Sequence, residues 1–314
     1  MDRQQALSQM ILPSQRRTGK PRGGVLQIHV TRTCDLACYH CTQGSNLRGL
    51  RSFISVENFE LALMSLRSYF GIVGVFGGNP ALHPEFPTLC NLVRIHVPRR
   101  RAGIWCNHPR GHGREMRSTF DPGYSNLNVH LKQEAFDEFK RDWPESRPFG
   151  LKSEDDSRHS PTHVAMKDIV DEGECWNLIA NCDINKYWSA MMCEIRGTLY
   201  GYFCEVAGAQ AILHQDDPDW PITGIPVAEN LEWWKLGMDA FENQVDQHCL
   251  NCGVPLRGYG QLAQQGTGPE QVSETHANIY HPKSRERLVE LVTDINQLDS
   301  RNLKFTEYLQ GAKK

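Results

Sequence analysis

No run of 18 consecutive apolar residues occurs in the 314-residue chain, so no segment is long enough to span a bilayer as a helix. The first thirty residues are polar and basic and lack the apolar stretch of a secretory leader. Neither sign of charge dominates: 34 Lys and Arg stand against 37 Asp and Glu, a formal net charge of -3. That balance removes any general electrostatic case for a nucleic-acid partner. The local basic runs, Arg16-Arg17 with Lys20 and Arg99–Arg101, read as solvated surface. Internal repeats and low-complexity tracts are also missing. Together these absences predict a cytoplasmic protein with no membrane partner, whose thiols stay reduced. The length allows one large domain or two with an ample core.

Cysteine, by contrast, is plentiful. There are eleven, an odd number that cannot all pair internally, and their clustering points to metal. "RTCDLACYHC" places Cys34, Cys38 and Cys41 together. Structural zinc takes four protein ligands. His40 is at hand, but it adjoins Cys41 and would strain a shared tetrahedron. An iron–sulfur cluster suits three thiolates better and leaves one iron open to a ligand. A second set comprises Cys193, Cys204, Cys249 and Cys252. "EIRGTLYGYF" between the first two reads as a hairpin turning near Gly197 or Gly201, which would bring both thiols to one side. Spacing alone leaves structural zinc and iron–sulfur both open there. Cys90 falls on an apolar helix face and reads as core.

The pattern along the chain alternates. "GVLQIHV" (Gly24–Val30) reads as a strand, and the three cysteines follow it in a loop to about Leu50. Ser55 is a good N-cap for a helix burying Phe59, Ala62, Leu63 and Leu66. Gly71–Gly78 reads as a buried strand, then a helix through Phe86, Leu89, Cys90 and Val93. Strands are expected at Ala102–His108 and Tyr124–Leu131, with a helix near Lys132–Lys140. "FGLKSE" and "HVAMKDIV" are weaker strand candidates, and Ser284–Leu298 has an amphipathic helical pattern through Leu288, Leu291, Val292 and Ile295. Alternation of this kind argues for an α/β fold with a parallel sheet, closed partly or fully into a barrel. In such folds the loops after strands carry chemistry.

The spacing Cys34-x3-Cys38-x2-Cys41 after a first strand resembles the signature of the radical S-adenosylmethionine (SAM) enzymes. Gly77-Gly78-Asn79-Pro80 after the second strand resembles that family's glycine-rich SAM-contacting segment, with Asn79 where an acidic residue is usual. The resemblance implies a partial (β/α)6-type TIM barrel with a small C-terminal cysteine-rich accessory domain. It implies a [4Fe-4S] cluster at Cys34, Cys38 and Cys41 whose open iron chelates SAM. Reductive cleavage of SAM to a 5′-deoxyadenosyl radical and hydrogen abstraction from substrate would follow. Further SAM contacts by placement are Asn107, Ser125, Asn128 and Lys152. The later cysteines resemble the smaller, one-cluster form of the auxiliary (twitch, half-SPASM-like) domain. This implies a second [4Fe-4S] cluster on Cys193, Cys204, Cys249 and Cys252. Cys106 and Cys182 are candidate hydrogen donors to a substrate radical, as cysteines are in some epimerases of the superfamily.

The expected division is an arm over 1–22, a barrel core over 23–170, an auxiliary cluster domain over 171–260 and a helical extension over 261–314. The expected outcome is oxidation or epimerisation of a small polar, sugar-like metabolite, with flavodoxin or ferredoxin as reductant. Only about 23 residues precede the first strand, too few for the winged-helix domain that many peptide modifiers carry. A peptide or protein substrate is the alternative, and a nucleic acid held by Arg99–Arg101 a lesser one. A non-catalytic zinc-binding protein is the reading outside enzymology. Base candidates for an oxidation are His83, His108, His130 and Glu205.

Overall fold

Six strands form the main sheet of the protein, seen here in a computed structural model that describes residues 1–16, 24–38, 40–45, 52–130, 132–150, 160–187, 189–256, 270–280 and 289–298. They are β1 (Val25–Thr31), β2 (Ile72–Gly77), β3 (Ala102–Ile104), β4 (Ser189–Ile195), β5 (Thr198–Tyr202) and β6 (Ile225–Pro226), in the order β3-β2-β1-β4-β5-β6. The pairings β3–β2, β2–β1 and β1–β4 are parallel; β5 and β6 are antiparallel additions. Beyond β3, parallel bridges Trp105–Asn126 and Asn128–Phe149 carry the curvature on. The result is a mixed α/β architecture whose sheet resembles a partial barrel. It runs without interruption from the N-terminal half into the cysteine-rich C-terminal half, because β4 pairs directly with β1.

Both faces of β1 are covered, as parallel strands require. Leu26, Ile28 and Val30 are fully buried, and Gln27 and His29 on the opposite face are nearly so. Helix α2 (Val56–Ser65) starts at Ser55, whose hydroxyl accepts from the Asn58 N–H, and buries Phe59, Ala62 and Leu63. Helix α3 (Phe86–His96) buries Phe86, Leu89, Cys90 and Val93, so Cys90 is a core thiol as its spacing predicted. Each fully buried Leu or Phe of these faces contributes about 1.5–3 kcal/mol. Helices α4 (Gly113–Thr119) and α5 (Gln133–Asp142) complete this side. The C-terminal half adds α6 (Glu172–Ala180), α7 (Asp183–Tyr187) and α8 (Glu205–Leu213). No helix among the described residues is long and apolar enough to cross a membrane.

Three expectations need correction. The first residues are not a loose arm: Arg3–Gln9 form a helix closed by a capping box from Asp2, with Ala6 and Leu7 buried. Arg3 ties that helix to Asp246 and Glu242, each at 2.8 Å. The described part of Ser284–Leu298 is not an α-helix. Val289–Leu291 is a strand parallel to Glu270–Val272, Ile295–Gln297 is a single 3-10 turn, and of the supposed apolar face Val292 is buried while Leu291 and Ile295 are exposed, Leu288 lying outside the described residues. Here strand pairing overrides a helical period over a short apolar run. "HVAMKDIV" folds as a turn and one 3-10 turn at Met166–Asp168, not a strand. Most of "FGLKSE", including Lys152, lies outside the described residues.

The arginine run sits at the far end of β3 from the loop that follows that strand. Arg99 donates to the Arg117 carbonyl, and Arg101 donates to the carbonyls of Gly71 and Tyr69. Two of its three guanidinium groups therefore serve the protein's own backbone.

Candidate active site

The C-terminal ends of the parallel strands open onto one cavity of about 290 Å³, the position where open α/β sheets carry ligands. After β1, Cys34, Cys38 and Cys41 line it; after β2, Gly77 and Gly78; after β3, Trp105, Cys106 and Asn107; beyond that, Asn126, Asn128 and His130. The glycines serve the approach of two loops. Gly77 has φ +151°, and a Cβ on Gly78 would sit 2.4 Å from the Thr33 carbonyl oxygen, so the cysteine loop lies directly on the glycine loop. Gly78 and Asn79 N–H groups bond Thr31 and Thr33 carbonyls at 2.7 and 2.8 Å. We expect Gly78→Ala to push these loops apart at a cost of about 1–3 kcal/mol. A lowered melting temperature together with reduced metal retention would be the observation; an unchanged melt would remove this account of the glycine.

Asn79 is fully buried and does not reach the cavity wall. Its Nδ2 donates to Asp35 at 2.9 Å and to the His108 carbonyl at 3.0 Å, while its Oδ1 accepts from the Cys106 thiol at 3.1 Å. Arg110 completes the clamp with a 3.0 Å ion pair to Asp35. Asn79 therefore braces the cysteine loop from behind. Pro80 begins a 3-10 turn and is buried. Ser125 is also structural, accepting from the Ile104 N–H and donating to the Asp121 carbonyl at 2.8 Å. Asn128 is on the wall, its Oδ1 accepting from the His130 N–H at 2.9 Å. Of the four base candidates, His130 and Glu205 line the cavity, whereas His83 is spent on the Ile54 carbonyl and His108 faces Glu138. Gln43, Asn126 and Ser160 are wall residues that no sequence pattern marked.

The Cys34 thiol is poised as an acceptor. The Cys34 sulfur receives the Leu36 N–H at 3.4 Å and the Asn107 side-chain amide at 3.2 Å. Burial pushes the Cys34 thiol up to about 12, and burial with the neighbouring Cys41 and Cys34 sulfurs pushes Cys38 up as well. Mutual repulsion of this kind is what a bound cation relieves by taking the sulfurs as thiolates. The loop is anchored from the C-terminal half, where the Glu270 carboxylate accepts the His40 backbone N–H.

A second, smaller pocket of about 20 Å³ adjoins the first, Ile184 and Val254 lining both. It brings together Cys182, Cys204, Cys249 and Cys252. Cys193 is elsewhere: it lies in mid-strand on β4 paired with Tyr200, and its sulfur faces the Gly208 carbonyl of α8 at 3.8 Å. The contrast extends to hydrogen bonding. The Cys252 sulfur accepts the Val254 N–H at 3.5 Å, the role of a thiolate ligand, whereas Cys193 is set as a thiol donor. Neighbouring N–H groups, those of Ile184 and Asn185 at Cys182 and of Ala207 at Cys204, partly offset the rise that burial gives those thiols. Burial raises Cys249 and Cys252 well above the ordinary thiol range. The donor set is soft and entirely thiolate, which suits iron–sulfur or zinc. Among the described residues, no three His, Cys, Asp or Glu side chains converge on a point that a single ion would occupy.

Comparison with solved structures finds "Crystal structure of BtrN in complex with AdoMet and 2-DOIA", at 13% identity and a TM-score of 0.43, covering 73% of this chain and 92% of that one. No family model matches the sequence, and no curated protein matches it.

Proposed function

We propose that the protein is a radical SAM enzyme with one auxiliary cluster, acting on a small polar metabolite. The observation that carries this reading is the single cavity that collects Cys34, Cys38 and Cys41 with Gly77, Gly78 and Asn107 at the C-terminal strand ends, backed by a second pocket lined by four cysteines. Cys34, Cys38 and Cys41 would hold the first cluster; Cys182, Cys204, Cys249 and Cys252 would hold the second. When bound, the first cluster with SAM supplies a reductively generated 5′-deoxyadenosyl radical for hydrogen abstraction.

The chain's own part is placement and protection. Phe76, Trp105 and Leu36 give the cavity apolar wall, which excludes water from a reactive intermediate. Gln43, Asn126, Asn128 and Ser160 give it neutral hydrogen-bonding groups suited to a hydroxylated substrate. His130 and Glu205 are the wall groups able to accept a proton when a secondary alcohol is oxidised. Ile184 and Val254 line both cysteine pockets, so a cluster held in the second would stand close behind the cavity wall and could serve as an electron acceptor there.

Anaerobically prepared protein should carry about eight irons and matching sulfide per chain and form 5′-deoxyadenosine from SAM under a low-potential reductant. Metal-replete protein that contains no sulfide and leaves SAM intact would refute the reading.

A further inference from the structure

We propose that Asn107 is a positioning residue that sets the reduction potential of the group held by Cys34, Cys38 and Cys41, and that couples this potential to occupancy of the cavity. The inference rests on the reading above for what those cysteines hold. Its own basis is one side chain with two ends. Asn107 follows β3, where the Trp105 and Cys106 N–H groups are pinned to the Val75 and Asn126 carbonyls at 2.9 and 3.0 Å. It is 8% exposed and lines the cavity. Its Nδ2 lies 3.2 Å from the Cys34 sulfur. Its Oδ1 is buried and has no hydrogen-bond partner among the described residues.

A metal-bound thiolate is an acceptor only, so the amide must turn its N–H to Cys34 and its carbonyl elsewhere. An N–H directed at a ligating sulfur withdraws charge from it, favours the electron-rich reduced state and raises the potential. The carbonyl end is left as a buried acceptor, desolvated at a cost until a donor arrives. A ligand N–H or O–H in the cavity is that donor. By polarising the amide, it strengthens the N–H bond to sulfur at the other end. Ligand binding therefore raises the potential, and by reciprocity the reduced protein binds ligand more tightly. The amide acts as a two-ended connector between cavity and sulfur.

The test is a potentiometric titration of the reconstituted holoprotein, following the reduced-cluster EPR component that Cys38→Ala lacks. Wild type, Asn107→Asp and Asn107→Ala are compared with and without S-adenosylhomocysteine, which cannot be cleaved. In the wild type the midpoint should rise on adding the ligand. Both variants should start lower by at least threefold in the reduction equilibrium, about 28 mV for a one-electron couple, and should show a smaller ligand-dependent rise than the wild type, keeping only what the ligand contributes at the open iron. Clusters assembled in both variants with a wild-type midpoint, or with a rise as large as that of the wild type, would overturn the proposal. If no EPR component depends on Cys38, the functional reading itself has failed, which is a separate result. If neither variant assembles its cluster, wild-type protein carrying side-chain 15N-asparagine decides. A nitrogen coupled to the reduced cluster supports the bond from Asn107, and its absence overturns it.

Discussion

Cys38→Ala is expected to abolish 5′-deoxyadenosine formation and to remove about four of the eight irons per chain. Cys38 is 6% exposed, between Cys34 and Cys41 on a loop held by the glycine segment behind and by Glu270 from the C-terminal half. Removing one of three thiolates leaves the cluster two protein ligands, too few to retain it against loss to solvent. The truncation itself is small, so a collapsed fold is not the expected cause. Cys90→Ala provides the control. That thiol is equally buried on α3, far in role from either cavity, and burial pushes it up to about 12. Its loss should lower stability by about 1 kcal/mol and leave iron content and SAM cleavage intact. Iron analysis and product quantification by mass spectrometry read both arms. SAM cleavage persisting in Cys38→Ala would sink the central reading.

Legibility in the sequence followed the strength of local signals. β1 and β2 were readable because apolar, β-branched runs end there in a cysteine loop and a glycine pair, and α2 because Ser55 caps a clean helical face. Cys34, Cys38 and Cys41 come together because they share one short loop, which needs no tertiary information. Asn107 and Asn128 were placed on the cavity by their position after strands, and the structure puts both on its wall. Ser125 carried the same kind of signal and bonds backbone, while Asn79, marked by the glycine-rich segment, is engaged behind the wall by Asp35, Cys106 and the His108 carbonyl. Polar residues at strand ends serve ligands and turns alike, and only the register tells which. Ser160 and Glu270 reach the site through packing between distant segments, for which the sequence holds no periodic mark, whereas Gln43 rides on the cysteine loop itself.

Cys182→Ala should remove the auxiliary cluster, halving iron to about four per chain, whereas Cys193→Ala should retain the full complement. The reason is the hairpin that first suggested Cys193. Its two-residue turn is Arg196-Gly197, with φ of 51° and 80°, the left-handed pair that a type I′ turn needs. That turn pairs Cys193 with Tyr200. Cys204 lies four residues beyond Tyr200, roughly 13 Å along an extended chain, so the hairpin holds Cys193 and Cys204 apart instead of joining them. The fourth thiol comes from the turn between α6 and α7, where Cys182 is buried beside Cys204, Cys249 and Cys252. With Cys182→Ala, SAM cleavage should continue because the first cavity is untouched, while oxidised substrate should fall by an order of magnitude or more as its electron loses its acceptor. Cys193→Ala should change neither. Full iron in Cys182→Ala with loss in Cys193→Ala would reinstate the hairpin pair. About four irons in the wild type together with one zinc lost from Cys182→Ala would keep the four-cysteine site but make it structural.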